Sequence, residues 1–125
     1  MRKKLSNYCF LTLMILAVLV IVFHIFFIRI KVPTSSMEPT IQPNSEFIVR
    51  KTKNIRRGDI VVFNSSELGE ILVKRLIGMP GDVVDIRDGE VFINGSYLKE
   101  DYVLNNSDYT GTFYVPDDGY LFLGD

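Results

Sequence analysis

Two adjacent serines, Ser35 and Ser36, stand in the segment VPTSSMEPT (Val32–Thr40), and Lys74 lies 38 residues beyond Ser36 in the run ILVKRLIGM. A serine hydroxyl is a weak nucleophile until a neighbouring base takes its proton. The sole histidine, His24, sits inside a long apolar run. A Ser-His-Asp triad in the remainder is therefore excluded, as is a histidine-ligated zinc site there. The one cysteine, Cys9, excludes an intrachain disulfide and a cysteine metal site. There is no Gly-rich phosphate loop and no dinucleotide fingerprint, so no cofactor and no metal are expected. Acidic residues are plentiful, but no spacing singles out a catalytic pair. Serine activated by lysine is the chemistry that survives.

A lysine acting as base must shed its proton, and burial among apolar groups favours the neutral amine. In a strand, Leu72, Lys74 and Leu76 share one face, while Ile71, Val73, Arg75 and Ile77 share the other. Both faces are apolar around a basic pair, so one of the two basic residues should be buried or paired. The plainer alternative is an edge strand whose basic side chains reach out to water. For Ser35 and Ser36 the plainer alternative is a turn or helix cap in a Pro-rich loop.

These residues need positioning elements. Tyr8–Ile30 has no charged residue before Arg29 and no Gly or Pro. About 20 apolar residues cross a bilayer core, and no small-x-small pair follows the run to suggest a cleaved secretory signal. The expected organisation is a basic N-terminus over residues 1–7, a transmembrane anchor over 8–30 and an extracytoplasmic domain over 31–125. Arg2, Lys3, Lys4 and the terminal amine before the span, against Arg29 and Lys31 after it, slightly favour an N-terminus inside the cytoplasm. All fifteen acidic residues but only nine of the fourteen basic ones follow Lys31, which gives Val32–Asp125 a net charge of −6. No basic patch with interleaved aromatics is present, so nucleic acid is not an expected partner.

Beyond Pro43 the chain is a series of short β-branched and aromatic runs. Glu46–Arg50, Asp59–Phe63, Ile71–Met79, Val83–Arg87, Glu90–Asn94 and Tyr120–Gly124 read as strands. Asp88-Gly89 is a two-residue hairpin signal, and Pro80-Gly81-Asp82 and Asn94-Gly95 mark further turns. No amphipathic helix is expected after the anchor. The fold class is mostly β: one transmembrane helix, then a compact barrel-like or folded-sheet domain. Asn64–Glu70 and Leu104–Gly111 read as surface loops. Sequons at Asn64, Asn94 and Asn105 read as chance matches in an Asn- and Ser-rich chain.

Taken together, SSMEPT (Ser35–Thr40), RRGDIVVF (Arg56–Phe63) and VKRLIGMPGD (Val73–Asp82), in this order after an apolar anchor, closely resemble the type I signal peptidases, particularly the short bacterial form with one anchor. The resemblance covers nearly the whole chain. It implies a membrane-bound Ser-Lys endopeptidase that removes signal peptides from exported proteins after an A-x-A-like site, with those signal peptides and the lipid bilayer as partners. Ser36 matches the nucleophile and Lys74 the general base. The oxyanion hole would combine the Ser36 backbone N–H with the Thr34 hydroxyl, a kind of donor worth about 3 kcal/mol. Val32, Met37, Ile41, Leu72 and Val73 match positions lining shallow substrate pockets. Arg75, Gly78, Pro80, Gly81 and Asp82 match a structural motif following the base.

The resemblance also implies a later motif that begins Gly-Asp-Asn and continues to Ser-x-Asp-Ser-Arg. The sequence stops at Gly124-Asp125. The expectation is a C-terminally incomplete domain in which Arg75 lacks its usual acidic partner. Two other functions compete: a non-catalytic, membrane-anchored factor that binds substrates or assists assembly, and, less favoured because no DNA-binding module is present, a self-cleaving repressor-type protease.

Overall fold

The computed structural model describes residues 2–66, 68–103 and 108–125. It divides into two units, residues 1–30 with 46–52, and residues 31–45 with 53–125.

The first unit is built on helix α1 (Arg2–Phe26). Its Ser6–Phe26 portion is long and apolar enough to cross a membrane, and 0% of its most apolar window is buried against the protein. The apolar run does not stay helical to its end. Phe27–Lys31 forms strand β1, which pairs with β2 (Glu46–Arg50) in a two-stranded sheet. Phe27 and Ile28 satisfy the hydropathy of a helix and the β-propensity of a strand equally well, and pairing with β2 decides between them. Phe23 stacks on Phe27 at 4.9 Å, Lys51 N–H donates to the Phe26 carbonyl (2.8 Å), and Arg29 pairs with Glu46.

The second unit is antiparallel β throughout its described strands. Strands β3 (Ile60–Ser65), β4 (Glu70–Gly78) and β9 (Leu121–Leu123) form one sheet in the order β3-β4-β9. Strands β5 (Val83–Arg87), β6 (Glu90–Ile93), β7 (Ser96–Tyr97) and β8 (Gly111–Tyr114) form another in the order β7-β6-β5-β8. Neither closes into a barrel, and no helix follows α1 among the described residues. All six strand-like runs in the sequence contain a strand, two with the expected bounds (Glu46–Arg50 and Val83–Arg87) and four with ends shifted by one or two residues. The short strands β7 and β8 carry too little pattern to be seen in advance, and Gly111 had read as loop. The loop start at Leu104 and the sequon at Asn105 lie outside the described residues.

Both hairpin signals act as their chemistry requires. Asp88 and Gly89 have φ of 50° and 79°, and Asn94 and Gly95 have φ of 50° and 81°, the left-handed pairs that a two-residue turn between twisted strands needs. Ile77, Val84, Ile86, Val91, Ile93 and Val115 form the buried core, with Leu98, Phe113, Leu121 and Leu123 packed against it.

The GMPGD segment joins the two sheets. The buried Asp82 carboxylate accepts from the Met79 N–H (2.7 Å) and Asn94 Nδ2 (2.9 Å), and pairs with Arg57 at 3.0 Å. Asn94 Oδ1 in turn accepts the Val83 N–H (2.9 Å), so this sequon's amide is engaged at both ends. Desolvation pushes the Asp82 carboxyl up, but the bonds from Asn94, Met79 and Arg57 outweigh it and hold the group below the usual carboxylate range. A depressed carboxylate stabilises the fold above its unfolded pKa, and that contribution disappears as pH falls through the folded value. Asp82→Asn should therefore be less stable than the parent at pH 7, and the gap should close as pH falls below about 4. Urea unfolding of both proteins across pH 3–7 measures this, and a gap independent of pH would contradict it.

Candidate active site

Ser36 is carried by a loop whose two ends are tied together. Val32 N–H donates to the Ser45 carbonyl (2.9 Å), and Asn44 N–H donates to the Val32 carbonyl (2.7 Å). Within the loop, Glu38 N–H donates to the Ser35 carbonyl (3.0 Å) and Ile41 N–H to the Met37 carbonyl (2.7 Å). Met37, directly after Ser36, is fully buried, as is Val32 at the entry (1% exposed). Burying those side chains pins the backbone on either side of the serine. Ser36 itself is half-buried, while Ser35 and Thr34 are exposed. Thr34 Oγ1 lies 3.3 Å from Ser36 Oγ, close enough for one hydroxyl to donate to the other.

Lys74 is in the middle of β4. The register pairs Val61 with Lys74, Phe63 with Leu72 and Phe122 with Leu76. Paired residues in an antiparallel sheet point to the same side, so Lys74 shares its face with Val61, Phe63, Leu72, Leu76 and Phe122. Phe63 and Phe122 stack at 4.5 Å on this face. Lys74 is half-buried there. The lysine therefore leaves the strand among apolar neighbours, one of the two readings that the alternation left open.

Arg75 points to the opposite face and pairs in register with Leu123. The alternation continues beyond β9. Asp125, two residues past Leu123, comes to Arg75, while Gly124 comes to the Lys74 side. Arg75 Nε donates to Asp125 Oδ1 (2.8 Å) and Nη2 to Oδ2 (2.5 Å), a two-pronged ion pair. The expectation that Arg75 lacks an acidic partner is thus corrected, because Asp125 itself is that partner. Their side chains are 11% and 0% exposed. Arg75 also donates to the Gly58 carbonyl (3.0 Å), and Nη2 approaches Thr40 Oγ1 (3.4 Å). Pairing with Asp125 holds the guanidinium more firmly protonated than usual, against the opposing effect of burial.

Gly124 is where the serine and lysine segments meet. A β-carbon here would overlap the Ser36 carbonyl oxygen, lie 3.5 Å from the Ser36 carbonyl carbon and 3.4 Å from Lys74 Nζ. Only a residue without a side chain fits between them. Neither this contact nor the Arg75–Asp125 pair had a signal in the spacing. Gly124-Asp125 had been visible only as the opening of a longer motif.

Of the five pocket candidates, Val32, Met37, Ile41 and Val73 are at most 8% exposed. Leu72 is half-exposed. Four of the five thus pack inside the fold, and Leu72 offers the most surface to a bound chain. In the structural motif, Gly78 and Asp82 are buried and Pro80 and Gly81 exposed.

The sequence model of the signal peptidases, peptidase S26, matches residues 5–125. The chain belongs to the S26 signal peptidase family. It is similar to a probable signal peptidase I-2 of Synechocystis sp., with 42% identity over 105 residues covering 75% of this chain and 48% of the relative. It is similar also to a signal peptidase I of Leptolyngbya laminosa, with 41% identity over 107 residues covering 75% and 53%. A signal peptidase I P of Bacillus subtilis subsp. natto aligns over 99% of this chain and 77% of its own length at 34% identity. This S26 chain spans about half the length of the first two relatives.

Gly124→Ala should strain the contact between the S26 chain's serine loop and β4. The obstructing atom is backbone, which yields less readily than a side-chain end, and overpacking of this kind typically costs about 1–3 kcal/mol. The urea midpoint should fall accordingly, and an unchanged midpoint would show that the contact is not tight.

Proposed function

We propose that this S26 chain is a membrane-bound serine endopeptidase that removes signal peptides from exported proteins. The observation that carries the reading is Gly124, where an added β-carbon would meet the Ser36 carbonyl and lie 3.4 Å from Lys74 Nζ, so that the serine and lysine segments approach one glycine while the sole histidine lies in α1. The approach of Lys74 Nζ to the same glycine as the Ser36 backbone supports its role as base.

In this mechanism neutral Lys74 takes the proton of Ser36 Oγ as that oxygen attacks the scissile carbonyl carbon. The resulting oxyanion accepts hydrogen bonds from the Ser36 N–H and the Thr34 hydroxyl. Collapse breaks the C–N bond, and Lys74 returns its proton to the departing amine. Water, deprotonated by Lys74, then releases the acyl group and restores Ser36. Thr34 Oγ1, 3.3 Å from Ser36 Oγ, is near enough to donate to an oxyanion that forms beside that oxygen. Leu72, the one half-exposed member of the five apolar candidates and on the same face as Lys74, would line a shallow apolar subsite that admits small side chains, which suits an A-x-A-like site. Ser6–Phe26 anchors the chain with its basic N-terminus in the cytoplasm, so that Ser36 works on the extracytoplasmic side.

The test is cleavage of an A-x-A precursor by this chain in liposomes. Cleavage at that site should disappear in Ser36→Ala and Lys74→Ala. Lys74→Arg should fail as well, because arginine keeps its proton. Turnover by Lys74→Arg at the parent's rate would defeat the mechanism, and binding of the precursor without cleavage would favour a non-catalytic substrate-binding factor.

A further inference from the structure

Arg75 is held on its flat face as well as along its edge. Its guanidinium carbon lies 3.8 Å from the centre of the Tyr102 ring. Tyr102 is half-buried, and its hydroxyl donates to Glu100 Oε1 at 2.7 Å. Glu100 is half-buried too. Both residues belong to the connection that follows β7, whereas Arg75 and Asp125 belong to the β3-β4-β9 sheet and its end.

This contact has a consequence for the ion pair. Glu100, Gly124 and Asp125 line one open cavity of about 370 Å³, so the pair lies close to a space water can enter. Water competes for the donors of a buried ion pair, and such a pair holds its geometry only when its surroundings are fixed. An aromatic ring over the guanidinium covers one of the two faces that its in-plane hydrogen bonds leave open. The bond to Glu100 stops the ring from turning away, and the Glu100 charge adds attraction for Arg75. Because Asp125 directly follows Gly124, a held carboxylate helps to hold the glycine that lies close to the Ser36 carbonyl and Lys74 Nζ.

We propose that Tyr102, held by Glu100, is a positioning residue: it clamps the Arg75–Asp125 pair and through Gly124 fixes Ser36 against Lys74. The dyad part rests on the reading of Ser36 and Lys74 given above, whereas the clamp on Arg75 does not.

The test uses the 125-residue chain in detergent micelles with Tyr102→Met, which keeps bulk but removes the aromatic face, and Tyr102→Phe, which keeps the face. Exchange of the Arg75 Nε–H, followed by NMR, should be about tenfold faster in Tyr102→Met and within about threefold of the parent in Tyr102→Phe. Unchanged exchange in Tyr102→Met overturns the clamp. On an A-x-A peptide, Tyr102→Met should lower kcat about tenfold or more with KM within about twofold, and Tyr102→Phe should recover most of the loss. Faster exchange with unchanged kcat overturns the positioning role. Should the parent not cleave, the catalytic reading fails while the exchange result still decides the clamp. The amide signals of Ser36 and Gly124 then decide the positioning: they should move in Tyr102→Met and hold in Tyr102→Phe, and unmoved signals overturn it. If Tyr102→Met does not fold, Tyr102→Leu, which also removes the aromatic face, is read by the same criteria.

Discussion

The two-pronged pair between Arg75 and Asp125 is the constraint on which the candidate site depends. Removing one member of a buried pair leaves a desolvated charge behind, typically a loss of about 3–5 kcal/mol. Its place in the sheet gives it wider effect. Strand alternation puts Arg75 and Asp125 on one face and Lys74 and Gly124 on the other. One ion pair is therefore next in sequence to the residue where an added β-carbon would meet the Ser36 carbonyl and approach Lys74 Nζ. Neutral side chains could fill the same volume, but they would lack the fork that fixes both angle and distance.

The serine arrives by a different route. Its loop has no regular secondary structure, yet it is closed at its base by two backbone hydrogen bonds and pinned by the buried Met37 and Val32 side chains. A loop so held has few conformations left to lose when substrate binds. The lysine has the opposite support, a rigid strand with apolar neighbours on its own face. A serine in a tied loop and a lysine on a strand are the supports that the proposed proton transfer needs.

Much of this was legible because local chemistry and global fold agree. Alternation around Lys74 and Arg75, β-branched runs, and the Asp88-Gly89 and Asn94-Gly95 turns all point to the strands that form. Motif order identified the family. Other features depend on long-range contacts that leave no local pattern. Nothing near Asp125 announces that its partner is Arg75, fifty residues earlier. Phe27–Lys31 continues an apolar helix by hydropathy and becomes a strand because β2 pairs with it. The burial of Val32, Met37, Ile41 and Val73 was equally hidden, since a pocket wall and a core position use the same apolar residues.

The most direct test of the account is to map where a serine-reactive signal-peptide analogue attaches to this chain. Tandem mass spectrometry should find one adduct, on Ser36, formed in the parent and absent from Lys74→Ala. An adduct on Ser35, or on Ser36 at the same rate without Lys74, would contradict the account, because the two residues would then not act as nucleophile and base.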